Sequence, residues 1–225
     1  MPGAKSPFVI RMDEVQKIID PSLKELGFKK SQRTYNRQTE PGLVQVINFQ
    51  MGRFEPPSTG PSPVPPWLKS DMYGKFTVNL GVFVEEVVKT LGLKPENFIS
   101  EPSCMIRRRL GFLIGPERKD VWWNLDAPAE NITQEIKPLL LSIGFDFLNR
   151  FASRSAIISD YLKFNKINGS GSPRARLDVG IILATRGDML GAENLFREHL
   201  TSPQNNAAHL AYVKKLADED RKSVV

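Results

Sequence analysis

Cysteine is nearly missing from this chain: its 225 residues include one, Cys104. A single thiol excludes an internal disulfide framework and any metal site built from several cysteines, and it fits a reducing cytoplasm. Set among strand-forming residues, it reads as a small core side chain rather than a nucleophile. Histidine is scarce as well. His199 and His209 both fall in the carboxy-terminal quarter, so neither a His-based triad nor a His/Cys metal centre can be assembled in the strand-rich region. No stretch reaches the roughly 18 apolar residues of a membrane span, and the opening MPGAKSPFVIRMDE lacks the apolar run of a signal peptide. There is no GxxxxGK[ST] phosphate loop and no GxGxxG dinucleotide fingerprint. The expectation is a cytoplasmic protein with no cofactor, no metal and no membrane partner. Enzymatic activity is not favoured, although a pocket can recruit Arg, Asp or Tyr without a motif.

Charge narrows the partners less sharply. The formal net charge is +6 and the pI about 9.4, but the basic residues are scattered among acids rather than gathered in a stripe. Nucleic-acid binding is therefore possible but not favoured.

What the sequence does contain is a run of strand formers, Lys75 to Val84, KFTVNLGVFV, with a second β-like run on each side. Its alternation puts Phe76, Val78, Leu80 and Val82 on one face and Thr77, Asn79, Gly81 and Phe83 on the other. The first set faces a core; the second, uncharged but partly polar, is expected on a more open face. Upstream, an amphipathic helix is predicted from Asp13, with Val15, Ile18, Ile19, Leu23 and Leu26 at helical spacing. Pro21 should kink it or begin a new turn, and Gly27 followed by Phe28 should end it. Gln32 to Gln38 and Leu43 to Met51 form a hairpin around Glu40-Pro41-Gly42. The proline-rich stretch from Phe54 to Lys69 cannot pair in a sheet and reads as an exposed loop that is either mobile or held mainly through Trp67.

Beyond the central strand, Val84 to Leu91 is a short helix or extended arm. Ser103 to Gly115 is predicted as a strand with Ile106, Leu110, Phe112 and Ile114 inward, and Arg108 falls among them. After a turn at Gly115-Pro116-Glu117-Arg118, VWWNL points its two tryptophans to opposite faces. Ile132 to Ile143 is a second amphipathic helix whose ending, at Gly144-Phe145, repeats the spacing of the first. Ser155 to Phe164 is a further helix. Asn168 to Pro173 reads as a linker, and after it Leu177, Ile181, Ala184, Leu190, Leu195 and Phe196 mark one apolar stripe of a helical hairpin, Leu210, Val213 and Leu216 another. Together these elements predict an α+β fold: a mainly antiparallel sheet of about five strands with helices packed on one face, plus a carboxy-terminal helical hairpin. The predicted organisation is a sheet domain over residues 12–165, a Gly/Ser linker over 166–173 and a helical extension over 174–225.

The order GFKK, VINFQ, FTVNLGVF, RRRLG and VWWNL, between two helices ending in GF, resembles the mainly bacterial family catalogued as domain of unknown function 4304, over about residues 12–150. That resemblance implies a compact cytoplasmic domain. It carries over no activity and no catalytic residue.

One constellation remains. Alternation brings Asn48, Gln50, Thr77, Asn79, Arg107, Arg109, Trp122 and Asn124 to the face opposite the helices. Amides and guanidinium groups offer directional hydrogen bonds to carboxylate or phosphate, and an exposed tryptophan adds a flat apolar contact. The same groups could equally bond to one another across an ordinary polar outer face. Two adjacent arginines on one strand repel, and no acid between Cys104 and Gly115 compensates them. The candidate ligand-binding residues are therefore Asn48, Gln50, Asn79, Arg107, Arg109 and Trp122. The reading is a non-catalytic binding or protein-interaction module whose partner is another protein or a small anionic ligand. The alternative is an enzyme or nucleic-acid binder that acts on an anionic group through Arg107 and Arg109.

Overall fold

Strand β4 (Lys75–Val84) lies inside the sheet, and its bounds are those read from the alternation. The computed structural model describes residues 5–52, 72–115, 119–167, 174–201 and 211. The proline-rich stretch with Trp67, most of the turn after Gly115, residues 168–173 of the Gly/Ser linker and the last apolar stripe with His209 lie outside them. β1 (Lys29–Ser31), β2 (Thr34–Glu40), β3 (Leu43–Met51), β4 and β5 (Ile106–Arg109) follow one another in the sheet, and β6 (Trp123–Asn124) pairs with β4. The fold is α+β and the six-stranded sheet antiparallel, with Phe76 opposite Trp123 in the last pairing. Short reversals do the work: Gly42, at φ 72°, takes the left-handed position of the β2–β3 turn, which glycine adopts without Cβ strain.

The described chain falls into two compact units. The first is made of the described residues within 1–35, 47–80 and 109–146, the second of those within 36–46, 81–108 and 147–225. In the first unit, α1 (Pro7–Glu25) packs with α3 (Ala129–Leu139). Helix α1 starts earlier than Asp13, because Ser6 Oγ accepts from Val9 N at 3.3 Å and Pro7 sits where a missing N–H costs nothing. It runs through Pro21. Its end is the expected one: Gly27 takes φ 85°, Phe28 N donates to Leu23 O at 3.0 Å, and Phe28 is buried. Met12, Val15, Ile19 and Leu23 are buried along it. Tyr35, Phe49, Phe76 and Trp123 make an aromatic row, with ring centroids 5.8, 6.4 and 6.0 Å apart. Trp123 is thus the core tryptophan, and its indole N–H donates to Glu135 Oε1 of α3 at 2.8 Å.

Two expectations are corrected here. Ser103 to Gly115 is not one strand: β5 covers four residues and gives way to a 3-10 turn, Leu110–Leu113, so Phe112 and Ile114 are only half-buried. Gly111 explains the break, since a Cβ on it would lie 2.4 Å from Val121 N, and the chain turns where that approach is needed. The second GF does not end a helix. A single π-helical turn, Leu140–Gly144, follows Pro138 and leads into α4 (Phe145–Asn149).

In the second unit, α2 (Glu85–Thr90), α5 (Arg154–Phe164), α6 (Ala175–Thr185) and α7 (Met189–Leu200) cluster around α6. Ser153 caps α5 through Ala156 N at 3.1 Å, and Asp188 caps α7 through Gly191 N at 2.9 Å. Gly180 brings α6 close to α7; a Cβ there would meet the Phe196 ring at 2.5 Å. Of the predicted stripe, Leu177, Ile181, Leu195 and Phe196 are buried, whereas Leu190 is exposed. Val46, Phe83, Ile99 and Cys104 form a small separate core. Arg154 is held in a bidentate pair by Glu86, at 2.6 and 2.7 Å, and also by Glu40. No described helix is long and apolar enough to cross a membrane.

Candidate functional site

Within the first unit, neighbouring strands put Thr34, Asn48, Gln50 and Asn79 side by side, as their alternation requires. Asn79 is buried rather than open to solvent, and so is Thr77. The expectation of an exposed second face on β4 is therefore corrected. Thr77 Oγ1 donates to Val121 O at 3.3 Å, which shows what lies over it.

Burial makes Asn79 a bracket. Its Nδ2 donates to Gln50 Oε1 at 2.8 Å and to Asn48 Oδ1 at 3.3 Å, while Asn48 Nδ2 donates to Thr34 Oγ1 at 2.9 Å. With each amide oxygen occupied from within, the orientation of both carboxamides is set. Gln50 is exposed, and its NH2 group has no hydrogen-bond partner among the described residues. It is presented as a donor.

Asn48 and Gln50 line a groove of about 720 Å³ together with Arg33, Lys30 and Lys5. Lys5 is paired with Asp13 at 2.8 Å and Lys30 with Asp20 at 2.9 Å. Arg33 makes no ion pair among the described residues. It sits in the two-residue turn between β1 and β2, next to Gln32, whose φ of 51° is unusual for a residue with a Cβ. The turn is braced from behind. Buried Gln16 donates to Gln32 O at 3.5 Å and to the Tyr35 hydroxyl at 3.2 Å, and Tyr35 in turn donates to Asp20, the partner of Lys30. Burial, reinforced by Asp20, raises the Tyr35 hydroxyl well above its ordinary range, so it stays a neutral donor. Sequence reasoning missed Arg33, Lys30 and Lys5. The signal was the basic run Lys29 to Arg33 right after the first GF, which reads from sequence as a strand entrance.

The arginines of β5 are differently placed. Arg109, also in the first unit, pairs with Asp120 and lies over the half-buried Trp122 ring, 5.2 Å from its centroid. Asp120 also accepts from Trp122 Nε1 at 3.1 Å, closing the trio. Arg107 belongs to the second unit, where Glu101 holds its Nε and Nη2 at 2.7 and 3.0 Å and raises its pKa. The charge that looked uncompensated along the strand is met by carboxylates six residues before Arg107 and eleven after Arg109. Of the six candidates, Asn48, Gln50 and Asn79 form one network, Arg109 and Trp122 another, and Arg107 neither.

The second unit has its own cavity, of about 750 Å³, between α2, the Leu91–Glu96 connection, the Pro102–Arg107 stretch and the start of α6. Cys104 borders it, but burial, foremost, pushes the thiol well above its ordinary pKa, so it is held protonated and unreactive. Among the described residues no cluster of His, Cys, Asp and Glu is placed to hold a metal ion.

Comparison with known families gives a match to the family described as Domain of unknown function (DUF4304), over residues 19–60 and 68–150. No curated protein and no solved structure matches the chain.

Proposed function

The chain belongs to the DUF4304 family, and from that premise we propose that it is a non-catalytic cytoplasmic binding module that takes up an anionic group, phosphate or carboxylate, in the groove bounded by Arg33, Asn48 and Gln50. One observation carries the reading: Asn79 donates to the Gln50 amide oxygen at 2.8 Å, so that Gln50 turns its donors outwards. Donors on one side, with the Arg33 guanidinium along the same groove and the Lys5 and Lys30 charges already met by Asp13 and Asp20, suit an acceptor-rich, negatively charged ligand. Charge-assisted hydrogen bonds of this kind contribute about 1.5–3 kcal/mol each. The strained turn at Gln32 and its buried support from Gln16 favour a preformed site, with little ordering left to do on binding. A groove of this size admits a small ligand or one anionic side chain of a protein partner.

Isothermal titration of the full chain with inorganic phosphate and with succinate tests the reading. Arg33→Ala should weaken whichever anion binds by about tenfold, and Gln50→Ala by several-fold, with no change in melting temperature. Affinity that neither substitution alters would remove the groove from consideration.

A further inference from the structure

We infer that the cavity of the second unit is a binding site for a small amphipathic monocarboxylate, with its chain against Val88, Leu91, Leu93 and Met105 and its carboxylate on Lys94 and Arg107. The site is separate from the groove and does not rest on the reading given to that groove.

The first observation is apolar. Phe83, Val87 and Val88 form one wall of the cavity, and Leu91 and Leu93 stand at its lip, 39 % and 58 % exposed. They flank Gly92, whose φ of 72° turns the chain directly after α2. Two large aliphatic side chains left to water beside a concave apolar wall are where a ligand's hydrocarbon would be covered. At about 750 Å³ the cavity lies within the range of small-molecule sites, roughly 300–1,000 Å³.

The second observation concerns which charges are already used. Glu96 accepts from Ser100 N at 3.0 Å and from the Ser100 hydroxyl at 3.2 Å. Asp178 is paired with Arg174, and Glu101 behind the wall takes two donors from Arg107. The acids are committed. On the cationic side, Lys94 is exposed and makes no ion pair among the described residues, and Arg107, with a half-exposed side chain, keeps Nη1 outside its bidentate pair. A wall with its acceptors engaged and donors to spare selects an anion over an amine. One uncompensated lysine suits a single negative charge rather than a phosphate dianion.

The probe is decanoate, titrated below its micelle concentration into the full chain, with 1-decanol and inorganic phosphate alongside. Decanoate should saturate at one molecule per chain, and decanol should bind about tenfold more weakly. Lys94→Glu should weaken decanoate about tenfold and leave decanol unchanged, and Leu93→Asp should remove both. Both positions are exposed, so circular dichroism should show an unaltered fold in both variants. Decanoate that fails to saturate, decanol that binds as tightly, or variants that bind like the parent would each overturn the assignment.

Discussion

Replacing Asp178 with asparagine should make the protein more stable near neutral pH, although the change deletes an ion pair. Asp178 sits in the first turn of α6, buried, with Arg174 Nη2 at 3.4 Å from Oδ1. Desolvation outweighs that partner and lifts its pKa from the ordinary 3.8 to about 6. The folded state therefore holds this proton more tightly than the unfolded chain. Below about pH 4 both states are protonated, so burial of the carboxyl carries no ionisation penalty; as pH rises towards 6 the unfolded chain loses the proton first and stability falls. A rise of about two units corresponds to about 3 kcal/mol in full, of which about 2 kcal/mol appears between pH 4.5 and 7.5. Urea denaturation of the parent and of Asp178→Asn at those two pH values isolates the contribution of Asp178, because every other titrating group is common to both. The variant should gain about 2 kcal/mol relative to the parent on going from pH 4.5 to 7.5. A gain near zero, or a relative loss, would mean that Arg174 keeps the carboxylate charged and that the desolvation argument is wrong.

Asn79→Asp should cost about 3 kcal/mol in the same assay, since it sets a buried carboxylate against the two amide oxygens that Asn79 now bonds. Arg154→Ala leaves Glu86, at 12 % side-chain exposure, without its bidentate partner, and a loss of about 2–3 kcal/mol is expected. Gly180→Ala would raise helix propensity by about 1 kcal/mol. It should nonetheless destabilise by about 1–3 kcal/mol, because the new methyl meets the Phe196 ring at 2.5 Å; a higher melting temperature would refute that packing. Cys104 should react with a thiol-specific reagent only as fast as the protein unfolds, whereas rapid labelling under native conditions would contradict its burial.

The density of strand-forming residues and the Glu40-Pro41-Gly42 turn were enough to locate β4 and the β2–β3 hairpin, although β4 is buried on both faces. The Gly27-Phe28 ending was readable for a local reason, namely the left-handed residue and its apolar follower. The start of α1 was signalled by Ser6-Pro7, but the consecutive apolar residues Phe8, Val9 and Ile10, the last of them exposed, do not trace the single apolar face that marks a helix. Tertiary contact decided the rest. Nothing near Gly111 in sequence says that Val121 will lie on it, and nothing near Arg107 or Arg109 names Glu101 or Asp120 as the partner. The amide cluster of Asn48, Gln50 and Asn79 was legible because it depends only on which face each residue takes. Arg33 was not, since alternation is silent about a residue in a turn.

The outward donors of the groove can be watched directly. Proton–nitrogen correlation spectra of the full chain, recorded as inorganic phosphate is added, report the side-chain amides of Asn48, Gln50 and Asn79 together with the Arg33 Nε–H. Saturable shifts of the Gln50 NH2 and Arg33 signals, with Asn79 NH2 held in place, are the predicted result. Unmoved Gln50 and Arg33 signals at saturating phosphate, or shifts that survive Arg33→Ala undiminished, would contradict it.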